Sequence, residues 1–135
     1  MVASGGPGPS GPDGMPMTPL TMAHRHLPGV VVIEVRGEVD ATNHERLREH
    51  IRVARVRPDD HVVFDLGELT FMDSAGLHVL LACHQDTQRH DARIYLAAAR
   101  GAPARLLEIT GVDAHIPVYP TADAAVAAAA AVPPG

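Results

Sequence analysis

Thr70-Phe71-Met72-Asp73-Ser74-Ala75-Gly76-Leu77-His78-Val79-Leu80-Leu81 decides the fold, because within it a buried strand hands over to a helix. Just upstream, His61-Val62-Val63-Phe64-Asp65-Leu66 is a β-branched and aromatic run bounded by Pro58-Asp59-Asp60 and Gly67, which predicts a short buried strand. Downstream, Leu77, Leu80, Leu81 and His84 recur at helical spacing. Ser74 therefore falls at or next to the helix N-cap, where a side-chain oxygen accepts a bond from a free backbone N–H. Asp73 can supply that cap alone and leave the hydroxyl free. Gly76, in the first helical turn, costs about 1 kcal/mol against alanine and suggests close approach by another backbone or a partner.

Composition narrows what such a chain does. With 135 residues and a Pro/Gly-rich front, there is room for one domain of about 115 residues. Aromatic residues make up only 3% and tryptophan is absent, so the core is built from Val, Leu, Ile and Ala, and no row of stacking platforms for nucleic acid exists. A formal net charge of −5 argues further against phosphate-backbone binding. Arg46, Arg48, Arg52, Arg55 and Arg57 are interleaved or flanked by Glu45, Glu49, Asp59 and Asp60, the pattern of a solvated helix face. Cys83 is the only cysteine and is expected in the core; with no disulfide possible and no signal-like N-terminus, a cytoplasmic location is expected. The alanine-rich stretch from Ala122 to Val132 is too short for a bilayer span and reads as a packing helix.

Taken in order, residues 1–18 are rich in Pro and Gly and are expected to be a disordered tail, with the folded domain over 19–132. Leu20 to Arg25 predicts an edge strand before the Pro28-Gly29 turn, and Val30 to Arg36 predicts a strong strand ending in a polar turn, Gly37-Glu38-Val39-Asp40. Thr42-Asn43-His44-Glu45 has the Thr-x-x-Glu form of a capping box, opening a helix whose inward stripe is Leu47, Ile51 and Ala54 and which stops before Pro58. Arg55 and Arg57 stand at its negative end. A strand over Arg93 to Ala97, a helix from Pro103 to Ile109 closed by Gly111, a weak edge strand over His115 to Tyr119 and a last helix capped by Thr121 complete the pattern. Alternating strands and helices predict an α/β fold: a mixed, mostly parallel sheet of about four to five strands packed with about four helices. Functional loops gather at the carboxyl ends of such strands, so Asp40 and Ser74 are expected at the same end of the sheet.

Phe71-Met72-Asp73-Ser74-Ala75-Gly76-Leu77, preceded by Val62-Val63-Phe64-Asp65-Leu66 and Gly37-Glu38-Val39-Asp40, resembles the STAS domains of bacterial anti-sigma factor antagonists over about Leu20 to Ala131. The resemblance implies a partner-switching regulator without enzymatic activity of its own. The unmodified protein would bind an anti-sigma factor that is also a serine kinase, so that a sigma factor is released. Phosphorylation of the motif serine, here Ser74, would end binding, and a metal-dependent, PP2C-like phosphatase would restore it. ATP would be the kinase's ligand; no cofactor and no metal are expected in this chain, nor nucleic acid or membrane as a direct partner, and a monomer or weak dimer is expected. The implied contact set is Asp40, Thr42, Asn43, Asp73, Ser74, Ala75, Gly76, Leu77 and His78. Ala75 replaces a second serine common in the motif. His78 stands where glycine is frequent, one helical turn after Ser74 and on the same face.

Other readings find less support. A serine hydrolase needs a base and oxyanion donors, and Met72-Asp73-Ser74-Ala75-Gly76 lacks the first glycine of the Gly-x-Ser-x-Gly elbow. Nine histidines invite metal binding, yet His24-x-His26, His44 with His50, and His84 with His90 make no zinc spacing and read as scattered surface histidines. No Gly-x-x-x-x-Gly-Lys loop is present, and the chain has no lysine. A non-phosphorylated STAS scaffold subunit of a larger regulatory or transport complex is the remaining alternative.

Overall fold

In the computed structural model, which describes residues 18–132, two long parallel strands run side by side through the middle of a sheet. The elements in chain order are β1 (Thr21–Leu27), β2 (Val30–Val39), α1 (His44–Ala54), β3 (His61–Met72), α2 (Ser74–Gln88), β4 (Ile94–Ala97), α3 (Gly101–Thr110), a 3-10 turn (Val112–Ala114), β5 (Val118–Tyr119) and α4 (Ala122–Ala130). The sheet order is β1-β2-β3-β4-β5, with β1 antiparallel to β2 and every other neighbour parallel. This is the mixed, mostly parallel α/β architecture that the alternation of strand and helix patterns predicts. The tail expected over 1–18 lies, except for Thr18, outside the described residues.

Each face of the sheet has its own core. Val31, Ile33, Val35, Phe64, Leu66, Ile94 and Leu96 point to one side, where Leu47, Ile51 and Ala54 of α1, Leu77, Leu80 and Cys83 of α2, and Leu107 of α3 cover them. Val30, Val32, Val63, Tyr95 and Ala97 point to the other, against Ala125 and Ala129 of α4. The predicted α1 stripe is thus the buried one. Burial pushes the Cys83 thiol up to about 11, consistent with a small core residue and not a nucleophile.

Both central strands are longer than their hydrophobic runs suggest. β3 continues from Leu66 through Gly67 to Met72, and β2 continues through Gly37-Glu38-Val39, which was expected to be a turn. Alternation breaks in β3 because the β2 register slips twice. Glu34 and Arg36 face Asp65 and Glu68, and Gly37 and Glu38 face Leu69 and Phe71, so β3 carries an extra residue each time. Two bulges place Leu66, Leu69 and Met72 on the same buried side at three-residue intervals, where period-two reasoning has no match. Gly37 sits at φ +93°, and a Cβ there would lie 2.1 Å from the Pro19 carbonyl oxygen.

One further expectation changes. Arg55 is not on a solvated face: its guanidinium pairs with Asp86 of α2 and donates to the Pro58 carbonyl at 2.9 Å, with only 10% of its side chain exposed. Hydrogen bonding to Arg55 holds the Asp86 carboxyl below the ordinary range. His61, which opens the run read as a buried strand, is fully buried. Its Nδ1 accepts from the Arg93 N–H at 3.1 Å, leaving Nε2–H to donate to the Val132 carbonyl at 3.0 Å, so a neutral ring ties β3 to the entry of β4 and the end of α4. At the chain's end the caps are as expected. The Thr121 hydroxyl accepts from the Ala124 N–H at 3.0 Å, and Gly111 ends α3 in the left-handed region.

Candidate functional site

β2 and β3 are parallel neighbours, so their carboxyl ends stop side by side and their following loops share one rim of the sheet. The Asp73 N–H donates to the Val39 carbonyl at 3.1 Å, extending the pairing one step past both strands. Asp40 to Asn43 and Asp73 to Ser74 are therefore brought together, as expected.

Asp73 is the N-cap of α2. Its Oδ1 accepts from the N–H groups of Ala75 at 2.9 Å and Gly76 at 3.2 Å, and its Oδ2 accepts from the Ala41 N–H at 3.2 Å. One carboxylate thus starts the helix and clamps the neighbouring loop. Ser74 is the first helical residue, exposed, and takes no part in the cap. Of the two cap candidates at the strand-to-helix handover, Asp73 is the cap and Ser74 is not: a carboxylate one residue earlier is the stronger acceptor and already occupies the geometry.

The loop after β2 is held by its own side chains. Asp40 Oδ1 accepts from the Thr42 N–H at 2.9 Å and from the Thr42 hydroxyl at 2.6 Å, and these bonds hold the Asp40 carboxyl below the ordinary range. Asn43 Oδ1 accepts from the Asp40 N–H, and Asn43 Nδ2 donates to the Glu38 carbonyl, both at 2.9 Å. The predicted Thr42-x-x-Glu45 capping box does not form. Asn43 occupies the N-cap of α1 without a side-chain cap bond, and Glu45 pairs with Arg48 at 3.1 Å. The Thr42 hydroxyl is instead turned to the Asp40 carboxylate, to which it donates a charge-assisted bond, and the helix opens one residue later, at Asn43.

Gly76 and Leu77 are buried, which removes them from the accessible contact surface implied for the motif. A Cβ on Gly76 would stand 2.7 Å from Val39 Cγ1 and 2.8 Å from Met72 Cγ, so its close approach is to the domain's own core and not to a partner. Ser74 and His78 remain exposed one turn apart on α2, with Ala75 and Asp73 half-buried between them and the second loop. Sequence reasoning did not single out Phe71, which is 41% exposed near the end of β3, opposite Glu38 of β2. The available signal was strand alternation beside a buried Met72, which sends the preceding aromatic ring to the other face.

This architecture, with an exposed serine opening a helix at the end of a central strand, defines a class. The STAS domain family model matches residues 21–125, and the chain belongs to that family. The relatives that it matches include anti-sigma factor antagonists. It is 28% identical over 101 residues to the anti-sigma F factor antagonist of Paenibacillus polymyxa, covering 74% of this chain and 86% of that protein. The crystal structure of an anti-sigma factor antagonist from Mycobacterium paratuberculosis superposes with a TM-score of 0.71 at 31% identity, covering 90% of this chain and 98% of that one. The anti-sigma factor antagonist SpoIIAA in its unphosphorylated form shares the fold, with a TM-score of 0.70 at 19% identity over 84% of this chain and 99% of that one. No helix among the described residues is long and apolar enough to cross a membrane.

Proposed function

We propose that this chain is a partner-switching antagonist. Unmodified, it binds an anti-sigma factor with serine kinase activity through the rim formed by Asp40, Thr42, Asn43, Asp73, Ser74, Ala75 and His78. Phosphorylation of Ser74 ends that binding, and a PP2C-like phosphatase reverses it. The observation that carries the reading is the division of labour at the start of α2: Asp73 does the capping, and Ser74 stands exposed beside it. A structural neighbour supports the chemistry, since SpoIIAA has also been solved in its phosphorylated form.

The physical consequences follow from the surroundings of the hydroxyl. A phosphate adds about −1.5 to −2 charges, and a helix N-terminus favours an anion by roughly 0.3 to 1 kcal/mol. Asp40 and Asp73 share the rim and oppose it, with their carboxylates fixed by hydrogen bonds to Thr42, Ala41, Ala75 and Gly76. In the free protein these terms offset one another and the fold persists. In a complex, burying a phosphate without matched donors costs at least several kcal/mol. At about 1.4 kcal/mol per tenfold, affinity falls by about a hundredfold or more.

The test mixes the purified chain with candidate serine kinases of the anti-sigma class and ATP, maps phosphate by mass spectrometry and measures affinity by calorimetry. A single phosphate at Ser74, lost affinity and a melting temperature within a few degrees of the unmodified protein are expected. Ser74→Ala should bind constitutively and melt like the wild type, because it removes no cap; Ser74→Glu should bind poorly. Phosphate on another residue, or undiminished affinity of the Ser74 phosphoprotein, refutes the proposal.

A further inference from the structure

Away from the serine motif, a pair of imidazoles joins the edge strand to α1. Nδ1 of His24 on β1 stands 3.0 Å from Nε2 of His50 on α1, and the two ring centres are 4.9 Å apart. At that separation the two nitrogens share one proton in an N–H···N bond, one ring donating and the other accepting. His26 follows two residues later on the same face of β1, its ring centre 5.2 Å from that of His24. Its Nε2 donates to the Ala54 carbonyl at 2.8 Å, and Arg46 of α1 donates to the Leu20 carbonyl at 3.1 Å. Among the described residues, these are the side-chain hydrogen bonds between α1 and the chain from Leu20 to Leu27.

Two of these bonds are indifferent to protons and one is not. A guanidinium stays charged, and an imidazole donating through Nε2 to a carbonyl still donates when Nδ1 is protonated. The His24–His50 bond tolerates one added proton, because an imidazolium donates to a neutral ring. With a second, both bridging nitrogens carry hydrogen and no lone pair is left to accept. The surroundings oppose that second charge: among the described residues, the histidine in an ion pair is His44, with Glu45. On α1, Glu45 is also engaged by Arg48 and Glu49 by Arg52 at 3.0 Å, while Arg46 adds a cation one turn before His50. Arg25 of β1, Glu34 of β2 and Asp65 of β3 line the depression beside His24; Glu34 is taken by Arg36 and Asp65 by the Gly67 N–H, each at 3.0 Å. From α2, Asp86 faces α1 and is held by Arg55. Burial first, and the charge of His24 second, push His50 below the ordinary histidine range.

We propose that His24 and His50 form an acid-released clasp: neutral or singly charged, the pair holds the edge strand against the middle of α1, and doubly charged it opens. His26 at the Ala54 end of α1 and Arg46 near its start keep the two ends in place. Opening exposes more of Met22, the half-buried side chain in the depression between the two elements, and leaves the Leu47, Ile51 and Ala54 face of α1 in the core. The folded chain holds the second proton more weakly than the unfolded chain does. The clasp therefore contributes fully above the unfolded histidine value near about 6.5, and its contribution is lost as pH falls through the lower folded value. This device is independent of the partner-switching reading and is tested without a kinase.

The test follows the imidazole Cε1–H resonances of the full chain by NMR from about pH 8 to about pH 4.5. His24 and His50 are expected to titrate in two coupled steps, the second displaced to acid. His50→Gln should return His24 to a single step near about 6.5, while His115 titrates alike in both proteins. Amide hydrogen exchange in β1, corrected for its intrinsic pH dependence, supplies the structural readout. Wild-type protection should fall about tenfold across the second step, and that of the His24→Gln/His50→Gln double variant should stay level. Circular dichroism confirms that each variant is folded, and the wild-type titration decides the pairing without any variant. Independent single-step titrations of His24 and His50 in the wild type, or β1 protection that falls equally in the double variant, overturn the clasp.

Discussion

Two helices begin at the same rim of the sheet, and they begin differently. α2 is capped by a carboxylate that also reaches across to Ala41, so its first residue is left with nothing to hold. α1 has no side-chain cap at Asn43; the polar residues before it bond to one another and back to Glu38. The first start frees a hydroxyl, and the second builds a rigid acidic loop beside it. Chain that is spare at one helix end and fully engaged at the neighbouring one suits a surface that keeps its shape while one side chain changes charge.

The sharpest way to break this contrast is at Asp73. Asp73→Ala removes the α2 cap and the Ala41 clamp together and should cost about 2–3 kcal/mol in urea unfolding. Asp73→Asn, placing its carbonyl oxygen at the cap, loses the Ala41 bond and should cost roughly 1 kcal/mol. Equal losses for the two would show that the link between the loops contributes most of the energy. Gly76→Ala comes next: crowding against Val39 and Met72 costs about 1–3 kcal/mol, and better helix propensity returns up to about 1. A net loss of about 1–2 kcal/mol with normal circular dichroism is expected; a gain would mean that Val39 and Met72 yield easily.

Asn43→Ala probes the other helix start. It strips partners from the Asp40 N–H and the Glu38 carbonyl and should cost roughly 1 kcal/mol, measured in the same way. The smallest effect is pH-dependent. Asp40 titrates lower folded than unfolded because Thr42 donates to its charged form. Its contribution is complete above the ordinary aspartate range near about 3.9 and is lost as pH falls through its own lower value. Thr42→Val should therefore melt slightly below the wild type near neutral pH, and the gap should narrow in acid. A gap constant down to the acid transition would assign the effect of Thr42 to something other than the Asp40 carboxylate.

How much of this was legible beforehand depends on how local the cause is. The Val30 run, the Val62 run and the Leu47, Ile51 and Ala54 stripe could be read because burial imposes a period on neighbouring residues. The serine motif could be read because strand and helix meet within a few residues. The extensions of β2 and β3 were hidden by two bulges, which change the phase of alternation without marking the sequence. The capping box failed because the helix opens at Asn43 and Thr42 bonds back to Asp40, and spacing alone does not say which of two adjacent polar residues takes the N-cap.

The amino-acid sequence by itself determined the α/β class, the helix faces, and the placing of Asp40 and Ser74 at strand ends, since periodicity and chain order are enough for these. Only the tertiary structure decided that Asp73 and not Ser74 caps α2, that Gly76 faces Val39 and Met72, that His61 bridges the Arg93 N–H and the Val132 carbonyl, and that His24 lies beside both His26 and His50. Each of these depends on which atoms from distant parts of the chain arrive within a few ångströms. A hydrogen bond or a packing contact exists only once that competition for partners has been settled in space.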